Sequence, residues 1–236
     1  MKISLEELSV GYKGFAPLVS DINVEIHSGK LTCLIGSNGI GKSTLLKTLT
    51  GFLPKISGRL LLDGRDIDSL TQRERAKYIS IVLTYKTDVQ NLNVAEMVGM
   101  GRMPYTGFWG KLNADDQKVV NEAINLVGVE HLRHRMVQTL SDGERQKVMI
   151  AKALAQQTPV ILLDEPTSFL DFPSKVEMLQ LLHRLAKETD KVVFLSTHDL
   201  ELALRIADTL VELNKNGLHI VEAPDVQKSI NTLLGE

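Results

Sequence analysis

The run Gly36-Ser37-Asn38-Gly39-Ile40-Gly41-Lys42-Ser43-Thr44 sets three glycines around a lysine that is followed by two hydroxyl residues. That spacing suits a polyphosphate. Glycines allow the backbone to turn several N–H groups inward around an anion. A helix beginning near Ser43 would aim its positive end at the same point. Lys42 supplies a point charge for β- and γ-phosphates, and the Ser43 hydroxyl is a hard oxygen ligand for Mg2+. A complement lies far along the chain, in Val160-Ile161-Leu162-Leu163-Asp164-Glu165. A buried strand there would deliver Asp164 to a sheet edge, to hold Mg2+ directly or through water. Glu165, the next residue, can orient or deprotonate a water that attacks the γ-phosphorus.

Short apolar runs must position these groups. Residues 31–35 read as a strand, followed by the glycine-rich turn and a helix from about 43 to 50, stopped at Gly51 and kept from resuming by Pro54. Residues 79–83, 160–163 and 192–196 read as further strands, the last running into Thr197-His198-Asp199. Apolar runs alternating with helical patterns predict an α/β arrangement with a largely buried sheet. From about 93 to 157 the pattern is nearly all helical. Asn113 is placed to cap one such helix, with Asp115 and Asp116 in its first turn, where acids suit the helix dipole. Val119, Val120, Ala123, Ile124 and Val127 then share a face, and Gly128 ends it. Tyr105-Thr106-Gly107-Phe108-Trp109-Gly110 reads either as a packed loop or as a partner contact.

Composition narrows the classes. The chain has 236 residues, 43% hydrophobic and 24% charged, which is ordinary globular usage. A formal net charge of −2 gives no global basic field, so no nucleic-acid partner is expected. Cys33 is the single cysteine and sits in an apolar run, a small buried hydrophobe fitting a reducing, cytosolic setting. The N-terminus lacks the apolar core of a secretory signal, and no apolar stretch approaches the ~20 residues of a membrane span. Any membrane connection is expected through a partner.

Leu140-Ser141-Asp142-Gly143-Glu144-Arg145-Gln146 reads locally as a capped helix start, with Ser141 as N-cap. It also resembles the LSGGQ signature of ABC ATPases, in the position expected just upstream of the second strand. The resemblance spans Tyr12 to about Asp208 and implies a P-loop, ABC-ATPase fold: one unit over 1–236, with 1–92 and 158–236 as the nucleotide-binding core around a mixed sheet and 93–157 as an inserted helical subdomain. It implies ATP and Mg2+ as ligands. It assigns Tyr12 to stacking on adenine, the 36–44 loop to the phosphates, and Ser43 with Asp164 to the metal. Glu165, His198 and Lys42 take the catalytic roles. Ser141 and Gly143 would address the γ-phosphate held by a second copy, in a head-to-tail, ATP-bridged dimer. Ser168-Phe169-Leu170-Asp171 resembles the segment that crosses between subunits.

Two signature positions depart from the pattern, Asp142 for glycine and Glu144 for glutamine. The glutamine expected after the 79–83 strand is also missing. Tyr85 stands there, with Thr84 before it and Gln90 further on. Val94-Ala95-Glu96-Met97-Val98 and Gly101-Arg102-Met103-Pro104-Tyr105 look like the importer group serving ferric siderophores, haem and cobalamin. That resemblance implies integral-membrane permease subunits, indirectly a substrate-binding protein, and a peripheral location on the cytoplasmic face of the inner membrane. An ABC ATPase outside transport, or an ATP-dependent dimerisation module with little hydrolysis, are the alternatives.

Overall fold

A computed structural model describes residues 1–84, 90–107 and 110–221. In chain order its elements are β1 (Lys2–Val10), β2 (Val19–His27), β3 (Lys30–Ile35), α1 (Lys42–Leu49), β4 (Ser57–Leu62), β5 (Arg65–Asp66), α2 (Gln72–Arg75) and β6 (Ile79–Val82). There follow α3 (Val94–Gly99), α4 (Ala114–Leu126), α5 (Asp142–Ala155), β7 (Val160–Asp164), α6 (Phe172–Thr189), β8 (Val192–Ser196), α7 (Leu200–Ile206), β9 (Thr209–Asn214) and β10 (Gly217–Val221). The strands form two sheets. One has the order β10-β9-β3-β8-β7-β6, with β10 antiparallel to β9 and the other neighbours parallel. The second is antiparallel, in the order β2-β1-β4-β5.

The central strands are continuous apolar runs because both of their faces are covered. Successive side chains alternate between faces. Leu31, Cys33, Ile35, Ile161, Leu163, Val193 and Leu195 join one core with α6 and the 93–157 helices. Leu34, Val160, Leu162, Val192 and Phe194 join the other, with Leu45, Leu46 and Leu49 of α1 and Ile3, Leu5 and Leu8 of β1. Helix α1 is thereby clamped between the sheets. The parallel register sets Leu34 and Asp164 both opposite Ser196, so β3, β7 and β8 end at one edge. The turns leaving them emerge together, where ligands bind in open α/β sheets.

The strand expectations hold to within a residue at either end. The antiparallel sheet is an addition to them. In β1 the alternation is interrupted by register shifts between Leu5 and Leu8 and between Leu8 and Val10, with Glu7 in the left-handed region at φ 49°. A period-two pattern interrupted in this way hides a strand.

Between β6 and β7 the named elements are helices, and the predicted cap of α4 is present. Asn113 Oδ1 accepts from Asp116 N at 2.8 Å, and the Asp116 carboxylate accepts in return from Asn113 N. The Gly101–Tyr105 stretch turns out to be a staple. Arg102 Nε donates to Asp116 Oδ1 at 2.9 Å, and its Nη1 donates to Ala155 O and Gln157 Oε1, both at 2.8 Å. The guanidinium lies 4.1 Å from the Tyr105 ring centroid, and Tyr105 Oη donates to Gln156 O. A Cβ on Gly101 would lie 2.3 Å from Lys152 O, so glycine is required for this close approach. Phe108 and Trp109 of the aromatic loop lie outside the described residues.

Candidate functional site

Six of the seven α-helices in the described residues carry a side-chain cap at their N-termini; α1 does not. Its N-cap is Gly41, at φ 116°, and its first turn holds no acid. The leading N–H groups of α1 are therefore left for an external acceptor, the arrangement that favours an anion. Gly36 turns the chain into the loop at φ 155°, where a Cβ would lie 2.6 Å from Leu213 O. Serine or alanine at 36 would force the loop off β9. The loop tip, Asn38 and Gly39, is exposed.

Lys42 is buried, and its Nζ donates to Gly36 O at 2.8 Å and Ser37 O at 3.2 Å. The ammonium thus lies folded against the loop whose phosphate it would serve. Burial pulls its pKa down from the usual lysine value, while Glu165 and Asp164 act in the opposite direction. Ser43 Oγ donates to Asp164 Oδ1 at 3.0 Å, and Ser196 Oγ donates to the same oxygen at 2.7 Å. Ser43 and Asp164 together present hard oxygens at a buried edge, and no group of three His, Cys, Asp or Glu suited to a metal occurs among the described residues. That donor set fits an ion taking its remaining ligands from phosphate and water, as Mg2+ does.

Glu165 follows directly, with φ at 46°, a conformation a non-glycine residue holds only at a cost of about 1–3 kcal/mol. Its N–H is met twice, by Ser196 Oγ at 2.9 Å and Ser196 O at 3.2 Å. Its carboxylate accepts from Ser168 Oγ at 3.0 Å and lies 3.4 Å from His198 Nδ1. The region after His198 is tied down in turn. Asp199 caps α7 and pairs with Lys175 of α6 at 3.0 Å. Ser196 is a site residue that sequence reasoning misses, because only the pairing of β8 with β7 sets it opposite Asp164. Lys175, on α6, bears on the site at one remove, through Asp199. Ser168 has a local signal, as the first residue of the 168–171 segment.

The remaining predicted residues are dispersed. Tyr12 is half exposed in the turn after β1. That turn reaches the phosphate loop through Leu18, whose Cβ lies 3.6 Å from where a Cβ on Gly41 would be. Ser141 caps α5, and all of its side-chain bonds among the described residues go to Glu144 of the same helix. Gly143 lies beside Leu170, which would be 3.8 Å from a Cβ there. Neither reaches the 36–44 loop of its own chain by a hydrogen bond among the described residues. Asp142 is turned to Arg145 at 3.2 Å. Tyr85 lies outside the described residues, Gln90 is exposed, and Thr84 Oγ1 donates to Asp164 O at 2.6 Å. The hydroxyl of Thr84, one residue before Tyr85, therefore lies at the strand end beside Asp164.

An uncapped helix under a glycine loop, beside a Ser–Asp oxygen pair and a strained glutamate, defines a P-loop nucleotide-binding protein. Residues 19–168 match the ABC transporter family. An uncharacterised ABC transporter ATP-binding protein of Methanocaldococcus jannaschii is 44% identical over 88% of this chain and 71% of its own. The iron(3+)-hydroxamate import ATP-binding protein of Bacillus subtilis is 38% identical over 97% of this chain and 87% of its own. A solved bacterial ABC transporter cassette, described as dimeric, is similar with a TM-score of 0.77 at 25% identity, over 94% of this chain and 99% of that one. The chain belongs to the ABC transporter family, as an ATP-binding, ATP-hydrolysing subunit.

Proposed function

We propose that the chain is the ATPase of an importer for an iron chelate, haem or cobalamin, and that it works as an ATP-bridged pair. The observation that carries the reading is the split of the machinery. The phosphate loop, Asp164, Glu165 and His198 meet at one sheet edge, while Ser141 makes no hydrogen bond to them among the described residues. A helix tip led by a serine hydroxyl is a phosphate-binding device. A second copy can offer it to the phosphates that this copy holds. The dimeric cassette to which the chain is similar supports the pairing, and the hydroxamate-import relative supports the cargo class.

In this reading Tyr12 stacks on adenine, and Gly36 to Thr44 wrap the phosphates with the leading N–H groups of α1. Lys42 leaves the carbonyls of Gly36 and Ser37 for the β- and γ-phosphates. Ser43 and Asp164 would hold Mg2+, which supplies charge neutralisation for the phosphoryl oxygens. Glu165, held by Ser168 and His198, orients a water in line with the γ-phosphorus and takes its proton. The partner copy's Ser141 and Gly143 exclude bulk water from the far side. No helix among the described residues is long and apolar enough to cross a membrane. Membrane attachment is therefore assigned to permease subunits, met by the 93–157 helical subdomain at the cytoplasmic face, with a substrate-binding protein acting through them.

The test is paired. Wild-type ATPase rate should rise faster than linearly with protein concentration. Glu165→Gln should bind ATP, lose turnover and elute as a dimer when ATP is present. Wild-type turnover in that variant, or a rate strictly proportional to protein, would contradict the reading.

A further inference from the structure

Ser141 and Glu144 share one more hydrogen bond than a helix cap needs. Glu144 N donates to Ser141 Oγ at 3.3 Å, and Ser141 N donates to Glu144 Oε2 at 2.8 Å. Those two complete the capping box. A third bond runs from Ser141 Oγ to the same Oε2, at 2.9 Å. A hydroxyl has a single proton to give. While that bond lasts, the proton faces Glu144 and not a phosphate beyond the helix tip.

The surroundings keep the acceptor charged. The two donors of Ser141 lead in holding the Glu144 carboxyl below the usual carboxylate range, with Arg135 and His131 adding to them. Arg135 Nη1 lies 3.8 Å from Glu144 Oε1, and Arg145 is engaged with Asp142. The hydroxyl is thus bound to an anion before any phosphate arrives.

We infer that Glu144 is a positioning residue that competes with phosphate for the Ser141 hydroxyl and so sets the ATP concentration at which the pair closes. The inference rests on the proposed capping of one copy's ATP by the other's Ser141. Closure requires the hydroxyl to turn from a carboxylate to a phosphate, leaving the negative charge of Glu144 beside it. Glutamine at this position keeps a carbonyl oxygen for the Ser141 N–H, so the helix cap survives. Its neutral acceptor holds the hydroxyl less strongly and does not repel phosphate.

The experiment compares wild type with Glu144→Gln, measuring half-saturating ATP and kcat across a range of protein concentrations. Half-saturation should fall about fivefold, the scale of exchanging a charged hydrogen-bond acceptor for a neutral one, while kcat moves less. The thermal midpoint should fall slightly, because an acid has left a helix N-terminus. A purely structural cap would instead weaken binding as stability drops. A superlinear rate with unchanged or raised half-saturation in the variant overturns this inference and leaves the paired enzyme standing. A rate linear in protein for both proteins overturns the two together.

Discussion

Ser196→Ala should disable the site without unfolding the sheet that carries it. Ser196 is fully buried at the end of β8, where its hydroxyl donates to Asp164 Oδ1 at 2.7 Å and accepts from Glu165 N at 2.9 Å. One atom therefore aims the proposed metal carboxylate and braces the strained turn of the proposed base. Alanine keeps β8 in register, and the carbonyl oxygen at 196 still meets Glu165 N, at 3.2 Å in the wild type. The bond to the Asp164 carboxylate is charge-assisted and contributes about 1.5–3 kcal/mol. If that energy is expressed in the transition state, it corresponds to a loss of about 10- to 150-fold in rate. Partners that orient a metal ligand have effects of about 10- to 100-fold, which is the same scale. The assay is steady-state ATP hydrolysis over a Mg2+ titration, with circular dichroism to establish folding. The expected variant is folded, slow and in need of more Mg2+. A folded variant with wild-type kcat and wild-type Mg2+ dependence would refute the argument that Ser196 aims Asp164.

Two further predictions address stability and chemistry away from the site. Arg102→Met leaves Asp116 ionised in a setting where both side chains are only 8% exposed; losing one partner of such a pair costs about 3–5 kcal/mol, or about 6–20 °C in Tm for a chain of this size. The Asn113 N–H, and then Arg102, hold the Asp116 carboxyl below the usual range. A depressed carboxylate stabilises above its unfolded pKa of about 3.9 and loses that contribution as pH falls through the folded value, so the Tm difference should narrow below about pH 4. Equal midpoints at pH 7 would contradict the staple. Cys33 is 1% exposed, and burial, followed by the charge of Asp208, pushes its thiol up to about 12. At about pH 8, near the ordinary thiol pKa, the native chain should release no colour from an aromatic disulfide reagent, and one thiol should react on adding denaturant; rapid reaction of the native chain would contradict this placement.

The parts of the site read most easily from sequence are those whose signal is local. The phosphate loop needs its glycines, lysine and serine in one contiguous run, because consecutive backbone N–H groups do the binding. Asp164 and Glu165 announce themselves because a strand buried on both faces must be apolar until it reaches the edge. The Asn113 and Ser141 caps are legible for the same reason, each being fixed within four residues. Ser196 and Lys175 are not, since nothing within a few residues says that β8 will end opposite Asp164 or that α6 will face Asp199. The Gly101–Tyr105 stretch speaks in sequence only of kinship. Its structural role lies in the close approach of Gly101 to α5 and in the bonds of Arg102 to residues more than fifty positions away. The antiparallel sheet escapes because β1 carries irregular register and a left-handed Glu7.

The structure of Glu165→Gln determined with Mg2+ and ATP tests the division of the site between two copies most directly. Two nucleotides are expected at the seam of a dimer, each wrapped by residues 36–44 of one copy and hydrogen-bonded at its γ-phosphate by the Ser141 hydroxyl of the other. Nucleotide fully enclosed by a single copy, with both Ser141 helix tips facing solvent, would contradict it.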